Sequence, residues 1–273
     1  TSLVEQMYSD FEDYGWSSGT YCQKIYQGHE KKVSKDVVIS TWQSIYKMPK
    51  KYFEQFGCVI GDEAHLFKSK SLTNIMTKLH LCKYRFGLTG TLDGTQTHRL
   101  VLEGLFGEVE KVISTKELID NKTLANLNIE CIVFKHKEED CKLVKDYTYA
   151  DEINYLVLQP NRNNFISRLC NSLEGNTLCL YQLVEKHGTV LYGLMKDFDR
   201  KVFFVHGGTD AKTRNDIRGI VEKEKNAIII ASYGTFSTGI NIRNINNVVF
   251  SSPSKSRIRV LQSIGRGLRT SAS

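Results

Sequence analysis

Seven short runs of apolar, mostly β-branched residues punctuate the chain, with amphipathic stretches between them. In the first half they are VVIS (37–40), CVIG (58–61) and YRFGLT (84–89). In the second half they are TLCLY (177–181), VFFVH (202–206), AIIIAS (227–232) and NVVFSS (247–252). Runs without polar alternation suit strands covered on both faces, and helical periodicity between them builds βαβ units around a parallel sheet. Helices are expected over 71–81, 161–174, 184–198, 210–224 and 256–269. Leu3, Val4 and Met7 already run at helical spacing, so the chain opens as if in the middle of an element. Residues 107–160 change character: they hold the mixed-charge run KHKEEDCKLVKDYTYADE and one further strand candidate, IECIVF (129–134). A domain boundary is therefore expected at about 113–125, dividing 1–113 from 114–273. The expected fold class is α/β, with two lobes, each a parallel sheet with helices on both faces.

A chain of 273 residues accommodates two domains with cores of their own. Its 41% hydrophobic and 25% charged content is that of a globular protein rather than a disordered one. A formal net charge of +7 favours a polyanionic partner without establishing one. The seven cysteines are odd in number and never spaced C-x-x-C, so they read as small core hydrophobes in a reducing compartment, with Cys58 and Cys179 in buried strands. No apolar run reaches the length of a membrane span and no signal peptide is visible, which gives a cytoplasmic expectation and no membrane partner.

Chemistry concentrates at strand ends. CVIGDEAH (58–65) is a strand that ends in two carboxylates, delivering Asp62 and Glu63 to the carboxyl edge of a sheet, where open α/β folds bind ligands. An aspartate there can hold Mg²⁺ while a neighbouring glutamate orients and deprotonates a water for attack on a γ-phosphate. Alone, an acidic pair in such a loop is a common polar exit from a strand. FGLTGTL (86–92) presents Thr89 and Thr91 beside the same edge, within reach of His65 or a carboxylate. In IIIASYGTFSTGINI (228–242), an apolar strand is followed by a Ser/Thr/Gly loop whose backbone N–H groups and hydroxyls suit phosphates. Finally, Arg259, Gln262, Arg266 and Arg269 are spaced three, four and three apart, a single stripe on a helix. The last twenty-four residues carry five positive side chains and no acidic one. Gly265 and Gly267 each cost such a helix about 1 kcal/mol relative to alanine. That expense suits close approach to another backbone or to a nucleotide better than it suits a solvated basic face.

D-E-A-H, then T-G-T, then S-Y-G-T-F-S-T-G-I-N, then Q-x-x-G-R-x-x-R: this order resembles motifs II, III, V and VI of superfamily 2 helicases and translocases. TSLVEQ (1–6) resembles the end of motif Ia, STWQSI (40–45) the next DNA-contacting segment, and VHGGT (205–209) a phosphate-contacting element of the second lobe. The resemblance, nearest to recombination helicases of phages, spans essentially the whole chain. It implies two RecA-like lobes with ATP and Mg²⁺ as cofactors. Asp62 would serve the metal, Glu63 the attacking water, and His65, Thr89 and Thr91 the coupling of nucleotide and nucleic-acid sites. Arg266 and Arg269 would be arginine fingers, with Gln262 and Gly239 lining the nucleotide site. Thr1, Thr41, Gln43, His206, Gly207 and Thr238 would touch the nucleic-acid backbone.

The resemblance further implies branched or single-stranded DNA, or an RNA–DNA hybrid, as substrate, other phage recombination proteins as partners, and the cytoplasm of an infected host as location. One departure stands out. The family's phosphate loop ends in Gly-Lys-Ser/Thr, and this chain contains no Gly-Lys dipeptide. The expectation is a first lobe truncated at its N-terminus just before Thr1, and a chain that by itself is a poor ATPase. Two rival readings stay open: the motor subunit of a restriction system, and a non-motor nucleic-acid binding or annealing module.

Overall fold

The computed structural model describes residues 2–90, 92, 96–239, 242, 244–254, 256, 260, 261 and 263–265. For Ser2, Thr115, Ala211, Asn215 and residues 237–239 the backbone alone is described. The chain divides into two compact units, Thr1–Val112 and Ile113–Ser273.

The first unit opens with the helix Ser2–Asp13, whose Glu5 binds Lys24 Nζ at 2.9 Å and accepts from the Tyr26 hydroxyl. Two parallel strand pairs follow, β1 (Cys22–Ile25) with β2 (Val37–Ser40) and β3 (Cys58–Gly61) with β4 (Tyr84–Gly87). The apolar runs locate β2, β3 and β4; β1, with the mixed sequence CQKI, carries no such signal. Helix Lys70–Lys78 fills most of the span expected from its periodicity and buries Leu72, Ile75 and Met76 against Phe53, Phe67 and Leu102.

The β3–β4 pair departs from expectation. Its strands are covered on one face, where Val59 meets that core, while Ile60 is 64% and Phe86 52% exposed on the other. Cys58 is accordingly exposed rather than buried. An apolar run reports that a strand is hydrophobic, not that both faces have cover. Cys131 and Cys141 are also exposed, and the core reading holds for Cys22, Cys82, Cys170 and Cys179.

In the second unit the two central strands meet the two-faced requirement. Its sheet is parallel, in the order β6 (Val202–Val205), β7 (Ile228–Ser232), β5 (Thr177–Tyr181), β8 (Asn247–Phe250). Every residue of β5 and β7 is buried. The period-two alternation of a strand sorts them into two cores. Leu178, Leu180, Ile229 and Ala231 pack with Val221, Tyr233 and Phe236 on one side. Cys179, Tyr181, Ile228 and Ile230 pack with Ile166, Cys170, Leu191 and Met195 on the other. These partners come from helices Ala211–Val221 and Tyr233–Gly239 on the first side, and Pro160–Ser172 and Thr189–Met195 on the second.

At the amino end of this sheet, the buried Asn176 acts as a hub. Its Nδ2 donates to the carbonyls of Glu224 (2.8 Å) and Asn244 (3.0 Å), while its Oδ1 accepts from Ala227 N (2.8 Å).

Three expectations fail in this unit. Residues 129–134 form no strand: Ile129, Ile132 and Val133 are exposed, and no ladder hydrogen bond reaches them among the described residues. Propensity alone cannot make a strand without a partner. The helix expected over 184–198 is split into a π turn, Val184–Gly188, and the α-helix Thr189–Met195. The Ser/Thr/Gly segment after β7 is not a loop but the helix Tyr233–Gly239, because Tyr233 and Phe236 have a core to bury into.

Candidate active site

Strand β3 hands the chain at Gly61 to a sharp turn. Glu63 takes up the left-handed conformation there (φ 49°, ψ 49°). That region costs an L-residue with a Cβ about 1–2 kcal/mol. Local hydrogen bonds hold it. Glu63 N–H donates to Asp62 Oδ1 at 2.8 Å, Ala64 N–H to Leu88 O at 2.8 Å, and Leu88 N–H to Gly61 O at 2.8 Å. The last two continue the β3–β4 pairing beyond the strands, so residues 62–65 and 88–90 lie side by side at the carboxyl edge. The close approach requires glycine: a Cβ at Gly87 would stand 3.0 Å from Ala64 Cβ and 3.0 Å from the Phe106 ring.

This pairing brings three of the expected residues together. His65 is buried, with Nδ1 3.0 Å from Thr89 Oγ1 and 3.3 Å from Glu63 Oε2. An ionised carboxylate only accepts, so the geometry calls for the proton on Nδ1. One imidazole nitrogen thereby links the carboxylate at the end of β3 to the hydroxyl beyond the end of β4. Asp62 remains exposed beside them.

Mg²⁺ keeps several waters and takes one or two carboxylates together with substrate phosphates. An exposed aspartate with one oxygen already oriented by a backbone N–H fits that requirement. No cluster of three or more His, Cys, Asp or Glu able to cage a metal occurs among the described residues, so the fit is to a hydrated ion shared with phosphate.

The other expected residues are distributed as follows. Thr41 precedes the helical turn Trp42–Ile45, its Oγ1 2.9 Å from Ser44 Oγ, and Gln43 is exposed on that turn. In the second unit, His206 and Gly207 lie in the turn after β6. His206 N–H donates to Thr209 Oγ1 (3.1 Å) and its Nδ1 accepts from Gly208 N–H (3.1 Å), leaving Gly207 exposed at the tip. Thr238 and Gly239 close the helix Tyr233–Gly239, whose first turn is fastened by Ser232 Oγ to Thr235 Oγ1 at 2.7 Å. Thr1, Thr91, Gln262, Arg266 and Arg269 lie outside the described residues, and so does the register of the arginine stripe. Of the segment that leads to it, Val260, Leu261 and residues 263–265 are helical.

Sequence reasoning did not anticipate the strained backbone at Glu63. It also missed a buried polar cluster at the opposite end of the second sheet from Asn176, built on His187 and Ser252 (2.8 Å). A histidine in the first turn of the helix expected over 184–198 was the one available hint; its partners are far away in the sequence.

Two protein families match the chain: the type III restriction enzyme, res subunit, over residues 1–94, and the helicase conserved C-terminal domain over residues 161–271. The chain is 37% identical over 276 residues to the ATP-dependent DNA helicase uvsW of Enterobacteria phage T4, covering 98% of this chain and 55% of the phage protein. It thus spans about half the length of that relative. Among solved structures, a fragment of an HsdR subunit of a type I restriction enzyme from Vibrio vulnificus shares the fold. It has a TM-score of 0.65 at 19% identity, over 92% of this chain and 47% of that one. A Saccharomyces cerevisiae Dbp5 variant does so with a TM-score of 0.62 at 15% identity, over 98% and 64%. No helix among the described residues is long and apolar enough to cross a membrane.

Proposed function

The chain belongs to the superfamily 2 helicases, and on that premise we propose that its parent protein hydrolyses ATP to translocate on and unwind DNA. The observation that carries the reading is the Glu63–His65–Thr89 constellation at the carboxyl edge of β3 and β4. Glu63 orients the attacking water and takes its proton. Its carboxylate is aimed by an unusual backbone conformation and by the His65 imidazole. Asp62 holds Mg²⁺, directly or through water, and the ion supplies charge neutralisation to the phosphates. Because Thr89 shares His65 with Glu63, a shift of the 88–90 segment alters the carboxylate. That is the physical content of coupling between nucleotide and nucleic acid, and Thr91 extends the same segment.

On this reading the lobes are 1–113 and 114–273. Arg266 and Arg269 neutralise charge on the transferring phosphoryl group, with Gln262 and Gly239 nearby. Thr1, Thr41, Gln43, His206, Gly207 and Thr238 contact nucleic-acid phosphates, which makes binding largely independent of sequence and sensitive to salt. The substrate class is branched or single-stranded DNA, with RNA–DNA hybrids as a further member, in recombination and replication-linked repair. The res-subunit match supports a second reading, a restriction motor, which requires a nuclease elsewhere in the parent.

Glu63→Gln in the parent protein tests the first reading. It keeps the side chain's shape but removes the base, so DNA-stimulated hydrolysis is expected to fall at least about a hundredfold while ATP still binds. Undiminished turnover would remove Glu63 from the mechanism.

A further inference from the structure

The stretch from Val37 to Phe53 carries three lysines, Lys47, Lys50 and Lys51, and no acidic residue. It runs from β2 through Thr41 and the turn Trp42–Ile45 to a second helical turn, Lys50–Phe53, entered at Pro49. All three lysines are exposed, and none has an ion-pair partner among the described residues. Glu54, the next acidic residue, lies 4.0 Å from His80 Nε2. Water satisfies a lysine, so unpaired cations alone mark no more than a solvated face.

Here the backbone beneath them is fixed and an aromatic side chain stands among them. Lys78 Nζ donates to Tyr46 O and to Met48 O, at 2.8 Å each, and lies over the Phe53 ring. Ile45, Tyr46, Met48 and Tyr52 pack on the core that contains Phe53. Trp42, by contrast, is left 37% exposed. One helical turn on, Tyr46 meets it edge to face with centroids 5.6 Å apart, and Lys47 Nζ lies 5.6 Å from the centre of the same Tyr46 ring. Indole, phenol and ammonium groups therefore form one continuous surface, with Gln43 exposed beside Trp42. Lys50 and Lys51 follow Lys47 within four residues, at most about 14 Å of chain, which is the span of a few nucleotides.

We propose that this surface binds single-stranded nucleic acid, with Trp42 stacking on an unpaired base while Lys47, Lys50 and Lys51 neutralise phosphates. The inference rests on the nucleic-acid reading of Thr41 and Gln43 given above and narrows it. Those two residues were assigned to the backbone, which single and double strands share; a stacked indole needs a base free of its duplex partner. Every base offers an aromatic face, so the site adds affinity without sequence preference. An acidic peptide would match the charge but leave Trp42 without a ring to stack on.

The test uses the full-length parent protein and a labelled oligodeoxythymidylate, with binding followed by fluorescence anisotropy between roughly 50 and 200 mM salt. An abasic strand of the same length and a duplex serve as comparisons. Hydrogen exchange of the β3 and β4 amides verifies that each variant is folded. Trp42→Ala is expected to weaken oligodeoxythymidylate binding about tenfold or more, but abasic-strand and duplex binding less than about twofold, and Trp42→Phe to recover part of the loss. Lys47→Gln, Lys50→Gln and Lys51→Gln are each expected to reduce the slope of log K against log salt by about 0.7 on the single strand. An equal Trp42→Ala loss on the abasic strand would mean that the indole only supports its turn, and would overturn the proposal. Unchanged affinity in Trp42→Ala, unchanged salt slopes in the lysine variants, or competition by polyglutamate as strong as by oligodeoxythymidylate at equal charge would overturn it too. Wild-type protein that binds neither strand nor duplex would overturn the nucleic-acid reading itself, and this site with it.

Discussion

Replacing His187 by glutamine removes a titrating group from the interior of the second unit while keeping an acceptor for Ser252 and a donor for Asn163. In the folded protein the imidazole protonates only near about 4, because burial and Arg162 oppose a second positive charge there; in the unfolded chain it protonates near 6.5. The unfolded state therefore binds more protons than the folded state between these values, and stability falls as pH is lowered from 6.5 towards 4. At about 1.4 kcal/mol per tenfold change in proton activity, the full loss is about 3 kcal/mol, of which about 2 kcal/mol has appeared by pH 5. Fluorescence will not report it, since both tryptophans, Trp16 and Trp42, lie in the first unit. Hydrogen exchange of the 177–181 and 228–232 amides does, because these strands belong to the second unit's core. Carboxylates with lowered pKa, such as Asp210 held by Thr213, add acid sensitivity of the same sign, so the measured quantity is the difference between wild type and His187→Gln. Between pH 7 and pH 5 the wild type should lose about 2 kcal/mol relative to His187→Gln. Parallel curves over this range would refute a buried neutral imidazole.

Two further outcomes follow from close contacts and strain. A Cβ added at Gly188 would stand 2.5 Å from the Tyr181 ring, which is fully buried, hydrogen-bonded to Val205 O and stacked on Phe204. The ring cannot yield, so Gly188→Ala should cost the second unit about 3 kcal/mol in hydrogen-exchange stability, and an unchanged value would show that the π turn shifts instead. Glu63→Gly should leave the first unit about 0.5–1 kcal/mol more stable than Glu63→Gln, because relief of the left-handed strain outweighs the added chain entropy. Urea unfolding followed by Trp16 and Trp42 reads this directly, and the reverse order would mean the turn is not strained.

The sheet of the second unit was legible because all five residues of β5 and of β7 are apolar or small and all are buried. There, composition and environment agree. In the first unit the same kind of run misled at Cys58, since a strand covered on one face can still be apolar on both. IECIVF misled further: its residues suit a strand, but no neighbour pairs with them among the described residues. The segment SYGTFSTG read as a loop because serine, threonine and glycine favour turns, yet Tyr233 and Phe236 buried in the core decide its conformation. Of the candidate site, the identities Asp62, Glu63, His65 and Thr89 were readable from motif order. The contact of His65 with Thr89 could be anticipated from strand adjacency, whereas the backbone twist at Glu63 could not. The polar cluster around Ser252 was illegible because its hydrogen-bonded partners lie 19 to 89 positions apart.

The two units hold their polar residues in different ways. In the first, Glu63 is aimed by short-range means: a strained residue, a neighbouring carboxylate oxygen on its own N–H, and a strand pairing continued by two bonds. Such a device is local, so it can respond to a small displacement of the 88–90 segment through His65. In the second, Ser251 and Ser252 are held by Arg162, Gln182, His187 and Tyr233, all distant from them in the sequence, with His187 and Tyr233 buried. A network of that kind is cooperative and leaves an orphaned polar group if any member moves, at about 1–3 kcal/mol each. It therefore resists gradual adjustment. A group that must respond to its neighbours fits the first design, and a group that must arrive in one fixed orientation fits the second.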